Sequence, residues 1–125
     1  MDTITKFTVP GIAFLLTLAF GVWLSNSGKP YNGILFNVHK LIALGVVIVT
    51  AIQVFKTLQN TEFQIALIAL IVVTSLCIVA LFATGALMSM DKLNYAVMLT
   101  IHRGAPILAV IAMVTTVYLL NAGKR

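Results

Sequence analysis

Apolar positions in this chain gather into four long blocks, separated by short polar clusters. The blocks run from about Thr8 to Ser25, from Ile34 to about Phe55, from about Phe63 to Met88 and from about Tyr95 to Leu120. A helix crosses a bilayer core of roughly 30 Å with about 20 apolar residues, and the four blocks match that requirement. None shows the two-residue alternation of a barrel strand, so the pattern predicts four transmembrane helices.

The polar clusters punctuate them. Ser25-Asn26-Ser27-Gly28-Lys29-Pro30 reads as a loop, with Gly28 and Pro30 as breakers and Asn32 as the N-cap of the second helix. Thr61-Glu62-Phe63-Gln64 has the form of a capping box, Thr61 accepting from the Gln64 backbone N–H and Gln64 reaching back. Asp91-Lys92-Leu93-Asn94 turns the chain into the fourth helix. Short connections make consecutive helices antiparallel neighbours, which predicts an all-α, up-down-up-down four-helix bundle forming a single transmembrane domain over residues 1–125. Trp23, Tyr31 and Tyr95 fall near span ends, where amphipathic rings settle at the membrane–water interface. No internal repeat, low-complexity tract or second domain is visible. The first block also resembles a signal peptide, but its leading segment is barely cationic and its apolar run exceeds the usual length of about 7–15 residues. It reads as the first span.

Composition strengthens the membrane reading. Hydrophobic residues make up 61% of the 125 and charged residues 9%, and the mean hydropathy is +1.10. A soluble domain carries about 25% charged residues, so this chain lacks the polar surface to be one. Disorder and a secreted disulfide scaffold are excluded on the same ground. The net charge of +5 comes from eight scattered Lys and Arg against three acids, with no basic cluster to grip nucleic-acid phosphates. The single cysteine, Cys77, lies inside an apolar run and cannot form an intrachain disulfide.

Orientation follows from the basic residues. Lys6, Lys56, Lys124 and Arg125 share one side, and Lys29, Lys40, Lys92 and Arg103 the other. Lys40 and Arg103 lie within spans. Setting them aside places both termini in the cytoplasm, in a cell (plasma or inner) membrane.

Ionisable residues inside a bilayer are costly and usually functional. Within the spans stand His39, Lys40, His102 and Arg103, with no Asp or Glu, since Glu62 is at a helix start. A proton-coupled transporter would want a buried carboxylate and a channel a polar lining; neither is present. His39 lies about 7.5 Å along the second helix from Ile34, and His102 about 10.5 Å along the fourth from Tyr95, at 1.5 Å per residue. Alternation of the spans makes these two helices parallel, so the two rings are expected at similar depth on the same side. Two neutral imidazoles so placed can clamp one haem iron from opposite faces.

Each histidine is followed by a cation, giving His39-Lys40 and His102-Arg103. Lys40 and Arg103 are placed to pair with the two haem propionates, or to snorkel outward. An anionic cofactor would explain two cations in the spans, because a buried unpaired charge is expensive. His39 shares a helical stripe with Ala43, Val46, Thr50 and Gln53, and His102 with Pro106, Ala109 and Met113. Ala43, Gly45, Gly104, Ala105 and Ala109 are small, leaving room for a porphyrin or for close helix contact. Pro106 cannot donate to the His102 carbonyl, so the fourth helix should bend there.

Plainer readings exist for each residue. One isolated His would more simply hydrogen-bond a neighbouring helix or face headgroups; the matched pair favours haem. Zinc is poorly served by two His without Cys, Asp or Glu. Met98, one turn before His102, offers a sulfur ligand, but five Met scattered through apolar runs read better as packing. Thr50 and Gln53 either line a quinone pocket or hydrogen-bond across helices, with packing favoured. Cys77 reads as a small core residue, and Thr74, Ser75 and Thr84 as returning their hydroxyls to the helix backbone.

With His39 in FNVHKLIALG and His102 in LTIHRGAPILAV, the chain resembles a reduced member of the four-helix membrane b-type cytochromes, a group that includes transmembrane ferric reductases and quinol-linked cytochromes. The resemblance covers the four-span layout. In such families histidines on helices two apart in sequence hold the haem, and many members carry four ligand histidines and two haems. Two histidines here allow one. The resemblance thus implies one noncovalent, bis-His haem b with His39 and His102 as iron ligands and Lys40 and Arg103 beside it. Covalent c-type attachment is excluded, because no Cys-x-x-Cys-His run exists.

Filled axial positions favour one-electron transfer over oxygen chemistry. No flavin or nicotinamide fingerprint is present, so a quinone, a peripheral redox protein or another subunit must deliver and remove electrons. The expected role is a membrane electron carrier or oxidoreductase subunit, alone or in an oligomer. The alternative is a cofactor-free anchor or assembly subunit of a larger complex, or a small-molecule carrier.

Overall fold

The structure is a computed structural model that describes residues 3–28, 31–62, 64–90 and 94–123. Met1, Asp2, Lys29, Pro30, Phe63, Asp91, Lys92, Leu93, Lys124 and Arg125 lie outside the described residues. With them go the proline breaker, most of the third turn and several of the charges used to orient the chain.

The protein is all-α. A single turn, α1 (Thr3–Lys6), precedes α2 (Thr8–Ser27), α3 (Gly33–Leu58), α4 (Ile65–Met90) and α5 (Tyr95–Ala122). The last four are long and apolar enough to cross a membrane, the make-up of an integral membrane protein. A backbone in hydrocarbon must satisfy its own N–H and C=O groups, and a continuous helix does so internally. The chain divides into two compact units, Met1–Asn60 and Thr61–Arg125. Each unit is a helical hairpin: α2 packs on α3 in the first and α4 on α5 in the second.

The helix ends follow local chemistry. Asn32 caps α3 as expected, its Oδ1 accepting from the N–H groups of Ile34 at 3.0 Å and Leu35 at 3.1 Å. Asn94 does the same for α5 through Val97 N–H at 3.2 Å. Gly28 ends α2 at φ 71° and ψ −175°, a conformation open essentially to glycine alone. The expected capping box at Thr61 takes a different form. Helix α4 begins at Ile65, and the Gln64 carbonyl accepts from the N–H groups of Leu67 at 3.1 Å and Ile68 at 3.4 Å, so Gln64 occupies the N-cap position. Thr61 is instead buried against the far end of the hairpin, where Glu62 N–H donates to the Gly123 carbonyl at 3.1 Å.

Packing inside each hairpin mixes apolar and weakly polar side chains. The buried residues include Leu24, Leu67, Ala112 and Leu120 together with Thr17, Thr57, Thr74, Thr84 and Thr116, while Ile12, Leu15, Leu41, Leu76, Ile107 and Ile111 lie exposed. Lipid tails are as apolar as leucine, so large apolar residues are free to face outward, and small and weakly polar residues on the inward face let backbones approach. Each buried hydroxyl is satisfied by the carbonyl four residues back: Thr17 to Ala13 at 3.0 Å, Thr57 to Gln53 at 2.8 Å, Thr74 to Leu70 at 2.8 Å, Thr116 to Ala112 at 2.7 Å. The inward positions also recur by sevens. Pro10, Thr17 and Leu24 mark α2, Cys77 and Thr84 mark α4, and Ala109 and Thr116 mark α5. That spacing keeps one stripe turned towards a neighbour packed nearly alongside.

Candidate functional site

His39 lies six residues after Gly33, about 9 Å into α3 at 1.5 Å per residue. Its ring turns inward, towards α2. Nδ1 stands 3.0 Å from the Thr17 carbonyl oxygen, and the ring edge lies over Gly21, where an added Cβ would fall 3.0 Å from Cε1. A carbonyl can only accept, so Nδ1 carries the proton, and in the neutral ring the lone pair is then on Nε2.

His102 repeats the arrangement in the other hairpin. It lies seven residues after Tyr95 in α5, with Nδ1 2.9 Å from the Thr84 hydroxyl oxygen. A Cβ at Gly85 would fall 3.2 Å from its Cε1. In both hairpins, then, a histidine on the second helix lies against a glycine of the first, and a threonine on that first helix meets Nδ1.

The correspondence extends along the hairpins. Pro10 and Thr74, Gly21 and Gly85, and Leu24 and Met88 are matched at one constant offset on the first helices, and His39 and His102, with Thr57 and Leu120, at nearly the same offset on the second. The two hairpins thus share a histidine-on-glycine contact, though the threonines that meet Nδ1, Thr17 and Thr84, do not fall at that offset. Only glycine and histidine keep their identity across the pairs, too little to register as self-similarity along the chain.

The cations flank the rings on the outward side. Lys40 is exposed, with Nζ 5.4 Å from the centroid of the Phe36 ring one turn back, towards the start of α3. Phe36 stacks in turn on Tyr31 at 6.3 Å between centroids. Arg103 is exposed on α5. His39 and Lys40 belong to the first unit and His102 and Arg103 to the second. Among the described residues, no three of His, Cys, Asp and Glu come together as a metal-ion group.

The other sequence candidates fall into place. Ala43, Val46, Thr50 and Gln53 are half-buried along α3, as are Met98, Pro106 and Met113 along α5, and Ala109 is buried. Cys77 is a buried free thiol. Thr74 and Ser75 return their hydroxyls to the backbone as expected. Thr84 does so as well, at 2.6 Å from the Ala80 carbonyl, but it also meets His102, which the sequence reading did not foresee. Gly45 and Gly104, read as leaving room for a porphyrin or for close helix contact, have nothing within 4 Å of an added Cβ and so make no close helix contact there. The close approaches are at Gly21 and Gly85. A cleft of about 430 Å³ lies between α4 and α5, floored by Cys77, Ala80, Gly104 and Ala105. It offers no polar side chain to orient a headgroup.

No family model, curated protein or solved structure matches the chain.

Proposed function

We propose that the protein is a membrane b-type cytochrome that takes one noncovalent haem b between the imidazoles of His39 and His102. It would pass single electrons between a quinone or redox protein and a second carrier. The observation that carries the reading is the His39 ring, seated over Gly21 with its Nδ1 proton committed to the Thr17 carbonyl. A metal-ligating histidine is commonly held this way, by a backbone carbonyl or similar acceptor that fixes the tautomer and leaves Nε2 for the metal. What supports a shared cofactor is the expectation from the sequence that alternating spans put His39 and His102 at similar depth on the same side of the membrane. What supports each ligand is its own hairpin.

These residues fit the group: two neutral nitrogen donors and two neighbouring cations suit an iron macrocycle with two carboxylates. When bound, the haem supplies a one-electron ferric/ferrous couple. The chain's part is to fix the two rings, keep water away with apolar helices, and place Lys40 and Arg103 near the propionates. The same reading puts the protein in the cell membrane, both termini cytoplasmic, with lipid around it and an electron partner or further subunits beside it. One observation favours a cofactor-free anchor instead: Lys40 over Phe36 already directs its charge to the span end without an anion.

Colour separates the two. Purified in mild detergent from haem-replete cells, the protein is expected to show a sharp Soret band, a reducible α band and one haem per chain. His39→Ala and His102→Ala should each abolish the low-spin spectrum. A colourless wild-type preparation ends this reading and supports a protein without the cofactor.

A further inference from the structure

Resting on that reading, we infer that Thr84 is the positioning residue for His102, its hydroxyl setting the ring tautomer that presents Nε2 to iron. One proton decides the direction of this contact. The Thr84 Oγ1 lies 2.6 Å from the Ala80 carbonyl oxygen and 2.9 Å from His102 Nδ1. Two oxygens this close need a hydrogen between them, and a carbonyl has none to give. The threonine proton is therefore spent on Ala80. Towards His102 the hydroxyl can only accept, so Nδ1 must donate. The result is a directed chain, His102 Nδ1–H to Thr84 O–H to the Ala80 carbonyl, which ends in the backbone of α4.

The two histidines thus reach the same tautomer by different means. His39 is held by a main-chain carbonyl that no side-chain substitution removes. His102 is held by a side chain whose direction depends on a second bond. Gly85, next to Thr84, lets the ring come close enough: a Cβ there would fall 3.2 Å from Cε1. The inference makes the His102 side of the centre the tunable one.

Solution or solid-state NMR on the full-length protein, labelled with 15N at histidine and reconstituted without haem in lipid nanodiscs, tests this directly. The wild type is expected to give His102 a protonated Nδ1 and an unprotonated Nε2. Thr84→Val removes the acceptor and should lower the ratio of the Nδ1–H to the Nε2–H form roughly fivefold, the value of about one net hydrogen bond. The His39 signals should stay in place. Thr84→Ser should restore the wild-type ratio. Thr74→Val, which removes an equally buried hydroxyl bonded back to Leu70, should change nothing. Haem titration of the same variants should show Thr84→Val weakened about 10- to 100-fold and Thr84→Ser close to wild type.

An unchanged His102 ratio in Thr84→Val overturns the inference, as does a wild-type His102 already protonated at Nε2. A wild type with the expected tautomers that takes up no haem overturns the cytochrome reading, and with it the ligand role. The NMR result keeps those two failures apart.

Discussion

A methyl group at Gly21 would put its carbon 3.0 Å from Cε1 of His39, and one at Gly85 would stand 3.2 Å from Cε1 of His102. Neither ring can retreat freely, because Nδ1 is tied to Thr17 in one hairpin and Thr84 in the other. Gly21→Ala and Gly85→Ala should therefore cost about 1–3 kcal/mol, the usual penalty of overpacking, and should lower haem content in parallel. Gly11→Ala meets nothing within 4 Å and should instead gain about 0.5–1 kcal/mol from helix propensity. Thermal unfolding in detergent, read with the haem-to-protein ratio, checks all three; equal effects at Gly11 and Gly21 would show that the histidine contact is not the cause. His39 and His102 were legible in the sequence as candidates, since ionisable residues in an apolar span stand out. Gly21, Gly85 and Thr84 were not. Glycine and threonine are common in membrane helices, and only the register of one helix on another shows which of them meet an imidazole.

At the level of the helices, hydropathy places each element to within a few residues, but not the way its ends are secured. Asn32 supports the first turn of α3 through two backbone N–H groups, as its position before the second apolar block implied. Asn32→Ala should destabilise the first hairpin by about 1 kcal/mol, and Asn32→Asp should retain most of the cap; melting temperature in detergent is the readout. Thr61 shows the limit of such local reasoning. Its capping-box spacing is present in the sequence, yet Gly123 at the end of α5 claims the segment, and Gln64 takes the N-cap position instead. The inward stripe is similarly hidden in the composition. In water a leucine stripe would mark the core, but in lipid every face is apolar, and leucines such as Leu67 and Leu120 share the core with Thr17, Thr74, Thr84 and Thr116.

For the molecule as a whole, span alternation makes a prediction that needs no contact geometry. Cys77 is 7% exposed and is the single cysteine of the chain, so the wild type should resist a membrane-impermeant maleimide. Asn26→Cys, at the α2 end, should label in intact cells, and Asn60→Cys, after α3, only once the membrane is opened. The reverse pattern would invert the orientation, and labelling of both from one side would break the alternation of spans. The amino-acid sequence alone determined that the chain is helical, with four spans long and apolar enough to cross a membrane, roughly where those spans begin and end, and that two His-cation pairs stand within them. These follow from hydropathy and local backbone requirements, which depend on near neighbours in the chain. The tertiary structure decided what each histidine does with Nδ1 and which glycines lie against a histidine ring. Those depend on the register between packed helices, where one residue of slip rotates a side chain by about 100° and exchanges its partners, and no local pattern encodes that register.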